Sequence, residues 1–117
     1  MERRVCNFCV DADLYIQWYQ VPMLRFEWDE TKNATNLRKH GVDFDTASLV
    51  FDDTRHLMMR DRMVDGEERW QTIGVAAGTA LLLVAHTYKD SHDEEVVRII
   101  SARVADARDR RRYEDGF

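Results

Sequence analysis

The sequence predicts an α+β domain, and three observations point to it. A strand-like word is followed by two helix-patterned segments. Four strand-like segments come next, joined by turn signals such as Asp65-Gly66 and Ala77-Gly78-Thr79, so the sheet should be mostly antiparallel. A short charged segment that opens on a capping aspartate closes the chain. The expected order is β-α-α-β-β-β-β-α, with two helices covering the sheet and a C-terminal helix. At 117 residues the chain makes one domain with at most a short appendage.

Residues 1–22 differ from the rest: they hold both cysteines, the only proline (Pro22) and the unpatterned Leu14-Tyr15-Ile16-Gln17-Trp18-Tyr19. They read as an N-terminal extension, with residues 23–117 as the domain proper and Met23 as its functional start. An amphipathic segment packed on the domain or a partner is the other reading. Leu24-Arg25-Phe26-Glu27-Trp28 alternates apolar and polar residues, the pattern of a half-buried strand. Asp29 then caps a helix that runs through Leu37 to His40, and Gly41 closes it. A second helix begins near Asp43, carries Phe44, Ala47, Val50 and Phe51 on one face, and ends at Asp52-Asp53. Leu57 to Arg60 reads as a short strand. From Arg69 to Ala76, Trp70, Thr72, Gly74 and Ala76 share one face, with Arg69, Gln71, Ile73 and Val75 on the other. Ala80 to Tyr88 is continuously apolar enough to be a central strand covered on both faces. Lys89 to Glu95 reads as a polar loop. Val96 to Arg103 is rich in β-branched residues and forms the last strand. Asp106 caps the final helix, and Asp109 suits its positive N-terminal end.

Composition narrows the functional classes. The net charge of −5 argues against a general nucleic-acid binder. The charge is uneven, however: from Val96 onward six arginines face four acids, while Asp43 to Glu68 is acid-rich. An acidic body with one basic corner suits a small, local phosphate site or a partner with basic arms. The apolar runs are strand-sized, too short to span a membrane, and the N-terminus lacks the apolar core of a signal peptide, so a cytoplasmic location is expected. One Cys6-x-x-Cys9 with four scattered histidines does not supply the four ligands of a structural zinc site, so no metal and no cofactor is expected.

The basic corner carries the chemistry. Arginines at the ends of the last strand, with an aromatic-bearing cationic helix behind them, form a phosphate-binding combination. A solvated charged face is the plain alternative.

Taken in order, Phe26-Glu27-Trp28-Asp29-Glu30, Lys32-Asn33, Asn36-Leu37, Lys39-His40-Gly41-Val42, Phe44, Ala47, Phe51-Asp52-Asp53, Gly66-Glu67-Glu68-Arg69-Trp70, Ile73-Gly74, His86-Thr87, Arg98-Ile99-Ile100-Ser101-Ala102-Arg103 and Arg110 to Glu114 resemble the BrnT family of type II toxins, small RelE-like ribonucleases. Arg98 to Arg103 is the most specific word. The resemblance spans residues 23–117 and leaves residues 1–22 outside. It implies RNA cleavage that inhibits translation, neutralisation by a BrnA-type antitoxin, and autoregulation in which the antitoxin alone touches operator DNA. Asp106 and Asp109 stand where the family usually has Thr and Glu, and both remain good capping residues.

Metal-free cleavage through the 2′-hydroxyl needs a base, cations on the phosphate and an acid at the leaving oxygen. Arg69, Arg98 and Arg103 are candidate phosphate ligands; pairing of Arg69 with Glu67 or Glu68 is an equal alternative. Arg98 and Arg103 have opposite parity, so they serve one site only if the strand ends or bulges before Arg103. His86 is a candidate proton shuttle at a sheet edge, or else a satisfied core histidine. Tyr113 is placed at the site or as a helix anchor. Lys39, His40, Arg110 and Arg111 are candidate RNA-binding residues, with His40 also readable as a helix C-terminal cation. A non-catalytic, antitoxin-binding co-repressor is the second functional reading.

Overall fold

A computed structural model describes residues 2–6, 23–90 and 94–116. Its elements are β1 (Glu2–Cys6), β2 (Met23–Glu27), α1 (Glu30–His40), α2 (Phe44–Ser48), a 3-10 turn (Leu49–Asp52), β3 (Leu57–Val64), β4 (Glu67–Ala76), β5 (Ala80–Asp90), β6 (Glu94–Val104) and α3 (Ala107–Asp115). The class is α+β, as expected, and the sheet is mostly antiparallel. Its strand order is β1-β2-β6-β5-β4-β3. The one parallel pairing joins β2 to β6, with Phe26 beside Val97 and Glu27 beside Arg98.

Caps set the helix ends. The Asp29 side chain accepts from the Thr31 and Lys32 N–H groups, and Gly41 takes the left-handed conformation at φ 72° that closes α1. At α3, Asp106 and Asp109 form a reciprocal capping box. The expected single helix after Asp43 is instead α2 followed by the 3-10 turn. The tighter winding occurs where Val50 meets β4. A Cβ on Gly74 would come within 2.7 Å of Val50 Cγ1, so this close approach requires glycine.

β3 is longer than expected and continues through Arg60-Asp61-Arg62 to Val64. It is an edge strand with a bulge between Arg60 and Arg62, and charges are tolerated on such an edge. Lys89 to Glu95 is also not a loop throughout: β5 extends to Asp90 and β6 starts at Glu94, with 91–93 outside the described residues.

The two faces of the sheet carry different layers. On one, Phe26, Val84, Val97, Ile99 and Ala102 pack with Phe44, Ala47, Val50 and Phe51 from α2 and the turn. On the other, Ile73, Leu81 and Leu83 pack against Met59, Ala105 and Tyr113 beneath α3. Among the described residues, α3 packs at one end of this second face, over Ile73, Leu81 and Leu83, and Arg69, Thr87 and Arg98 lie beyond it. Cys9, Pro22, Tyr15, Trp18 and Tyr19 lie outside the described residues.

Candidate functional site

The last strand contains the irregularity on which its two arginines depend. In the β5–β6 ladder His86 opposes Ile99 and Ala85 opposes Ser101, so Ile100 is an extra residue in β6. Without it, Arg98 and Arg103 would face opposite sides. With it, Arg98 opposite Thr87 and Arg103 opposite Leu83 lie on the same face, the α3 face.

That face carries three arginines in a row that runs from β3 to β6, with Thr87 of β5 between the second and the third. Arg62 on β3 opposes Arg69 on β4, and Arg98 on β6 opposes Thr87 on β5. Trp70 opposes His86, which sets Arg69 level with Thr87. One carboxylate joins the row. Arg98 Nη2 donates to Glu67 Oε1 at 2.7 Å, and Arg69 Nε lies 3.6 Å from the same oxygen. The second distance is an ion pair but not a hydrogen bond, so the buried Arg69 Nε has no hydrogen-bond partner among the described residues. A guanidinium carries five donors, so both arginines keep N–H groups for a phosphate. A shallow groove beside the pair is lined by Glu67, Thr87 and Lys89, among others.

Arg103 and Tyr113 share the face but have other partners. Arg103 Nη1 donates to Asp109 Oδ2 at 2.8 Å, and Asp109 is only 4% exposed. The guanidinium thus neutralises a buried carboxylate inside the α3 cap. The Tyr113 hydroxyl donates to Asp53 Oδ2 at 2.6 Å, which raises the tyrosine pKa. Asp53 also accepts from the Val75 and Arg55 N–H groups. Its partial burial alone would raise the carboxyl pKa; the hydrogen bonds, from Tyr113 first, outweigh that and hold it below the usual value. Tyr113 is placed as the anchor that ties α3 to the turn and β4.

His86 does not emerge at a sheet edge. It sits on the opposite face, at 0% exposure, edge-on to Phe51. Nδ1 lies 2.8 Å from the Thr87 carbonyl and Nε2 2.7 Å from Thr72 Oγ1. A carbonyl only accepts, so Nδ1 carries the proton and Nε2 accepts from threonine. Burial pushes the pKa down to about 4, against a smaller upward pull from the Thr87 carbonyl. The ring is the satisfied core histidine of the two readings, because β5 runs past it to Asp90 and leaves it mid-strand.

Lys39 and His40 are exposed at the end of α1, in the layer across the sheet from Arg98. Arg110 and Arg111 are exposed on α3, on the Arg98 side but at the end where α3 packs. The structure therefore brings together Arg69 and Arg98, and does not bring His86, Lys39 or His40 to them. Sequence reasoning treated Glu67 only as a salt-bridge alternative and missed the anchoring role of Asp53. It also missed Asn36, whose buried side chain pairs with both the N–H and the C=O of Ala102, where β2 has ended. The order of family words was the one signal that could have singled out all three. Among the described residues no three His, Cys, Asp or Glu side chains are grouped to hold a metal ion.

The profile of the BrnT ribonuclease toxins of type II toxin-antitoxin systems matches residues 28–109. The chain belongs to the BrnT family. The match includes β3 to β6 and the Arg69–Glu67–Arg98 group, and it excludes the N-terminal residues. The crystal structure of the BrnT ribonuclease toxin from Brucella abortus is 26% identical, covers 69% of this chain and 95% of that one, and superposes with a TM-score of 0.47. No curated protein matches the chain. No helix among the described residues of this BrnT-family chain is long and apolar enough to cross a membrane.

Proposed function

We propose that residues 23–117 form a RelE-like, metal-independent endoribonuclease that cleaves RNA by attack of the 2′-hydroxyl on the adjacent phosphate and so inhibits translation in the cytoplasm. A BrnA-type antitoxin neutralises it, and the pair represses its own operon, with operator DNA contacted by the antitoxin. The observation that carries this reading is the Arg69–Glu67–Arg98 group on the α3 face of the sheet, within a chain of the BrnT family. Two adjacent guanidiniums match the oxygens of a phosphate and oppose the charge that builds on it in the transition state. The alternative, a non-catalytic co-repressor, would have both arginines buried in ion pairs; both pair with Glu67, but Arg98 keeps 45% of its side chain exposed and Arg69 26%.

The test expresses the chain in bacteria without antitoxin and measures growth, RNA integrity and cleavage by purified protein. Wild type is expected to arrest growth and to cut RNA equally well in EDTA. Arg98→Ala and Arg69→Ala should each lower the cleavage rate about 10²–10³-fold with normal melting. Arg103→Ala should act mainly on stability, by about 1–3 kcal/mol. That is below the 3–5 kcal/mol for a fully buried pair, because Arg103 is 39% exposed. Intact RNA and unimpeded growth with the wild-type chain would overturn the nuclease reading; wild-type rates in both Arg98→Ala and Arg69→Ala would remove the site from this face.

A further inference from the structure

We propose that Glu67 is the general base of this site, an inference that rests on the RNA-cleavage reading above. The starting point is how its two oxygens are used. Oε1 takes both arginines, at 2.7 Å from Arg98 Nη2 and 3.6 Å from Arg69 Nε. Among the described residues, Oε2 receives no hydrogen bond. The side chain is half-buried, with one wall in the groove shared with Thr87 and Lys89. A carboxylate gripped at one oxygen is held in one orientation, and its second oxygen remains able to accept a proton.

The charged groups around it come from every neighbouring strand. Arg69 is on its own strand, Arg62 opposes Arg69 from β3, Lys89 lines the groove from β5, and Arg98 reaches over from β6. Glu68, the next residue, points to the other face and pairs with Arg60 instead. A phosphate drawn to Arg69 and Arg98 arrives beside Glu67, the carboxylate that touches both; Glu27, next to Arg98 on β2, is paired with Arg25, and Glu68, which also lines the groove, is paired with Arg60. The ribose 2′-hydroxyl next to that phosphate comes within reach of Oε2.

The step balances within the substrate, the carboxylate and water. Glu67 Oε2 removes the 2′-hydroxyl proton as the 2′-oxygen bonds to phosphorus. The bond from phosphorus to the 5′-oxygen breaks, and that oxygen takes a proton from water. The products are a 2′,3′-cyclic phosphate and a 5′-hydroxyl, and protonated Glu67 returns its proton to solvent. Arg69 and Arg98 hold the phosphate oxygens throughout. His86, buried across the sheet with both ring nitrogens engaged, has no part in it.

The competing role for Glu67 is to neutralise the two arginines while no RNA is bound. The two roles predict different kinetics. Glu67→Gln keeps the size of the side chain and an oxygen for Arg98, but it cannot take up the proton. With a short fluorogenic RNA and purified full-length chain, a general base predicts a 10²–10⁴-fold fall in kcat with KM unchanged or lower, and loss of the acidic limb of the pH–rate profile. Glu67→Asp should retain that limb at an intermediate rate, and this holds the question open to decision even if the Gln variant melts early. A mere neutraliser predicts wild-type kcat and tighter RNA binding in Glu67→Gln. That result would overturn the proposal, as would a normal acidic limb in a folded Glu67→Gln protein. If Glu67→Gln cuts normally while Arg98→Ala does not, Glu67 alone is rejected and the nuclease site stands. If wild type does not cut RNA at all, both readings fall together.

Discussion

His86 shows how a single residue links the core to pH. Folded, its pKa lies near 4; unfolded, it returns to about 6.5. The folded state therefore binds fewer protons between those values, and stability is complete above pH 6.5 and is lost as the pH falls toward 4. The full shift corresponds to roughly 3 kcal/mol. Chemical denaturation at pH 7 and pH 4.5 should show a larger drop for wild type than for His86→Gln; equal drops would mean that the ring titrates freely. At this scale, the sequence listed the right residue types but could not assign them. Strand alternation says which side of a sheet a residue faces, yet it does not say which strand continues past it. His86 was legible as a member of β5, and its burial followed only once β5 was seen to reach Asp90. Arg103 and Arg98 look alike in sequence, and their partners, Asp109 and Glu67, separate them.

Among elements, the bulge and the ladder substitutes matter most. The presence of β2 to β6, the α1 caps and the core of β4 were readable, because local periodicity and capping chemistry determine them, whereas β1 and the full lengths of β3, β5 and β6 were not. The extra residue at Ile100 was not readable, since a bulge exists only relative to a partner strand. Parity nevertheless stated the condition correctly: a bulge before Arg103 was one of two ways to bring the arginines to one face. Asn36 was equally hidden. A buried polar side chain that completes another strand's backbone pairing leaves no periodic trace. Its two contacts to Ala102, with a third from Nδ2 to the Val42 carbonyl at 2.9 Å, imply a specific cost. Asn36→Ala leaves three buried backbone groups unpaired and should destabilise by about 3 kcal/mol, measured by urea denaturation. A loss under 1 kcal/mol would mean that water replaces the amide.

For the whole molecule, the apolar clusters among the described side chains are built by residues from Leu24 onward, and β1 pairs with β2 at the sheet edge. We propose accordingly that residues 1–22 are an appendage to a self-sufficient domain. Deleting residues 2–22 should shift Tm by less than about 5 °C, equivalent to about 1 kcal/mol, and leave RNA cleavage intact. A drop well beyond that would place the aromatic run Tyr15, Trp18 and Tyr19 in the core. The parallel pairing of β2 with β6 has a consequence for biosynthesis. Hairpins β3–β4 and β4–β5 can close as soon as they are made, but β2 must wait for the last strand, and contacts of such long sequence separation form slowly. The same last strand carries Arg98. A chain still being translated therefore lacks the proposed phosphate site until β6 has been made, after every other strand of the sheet.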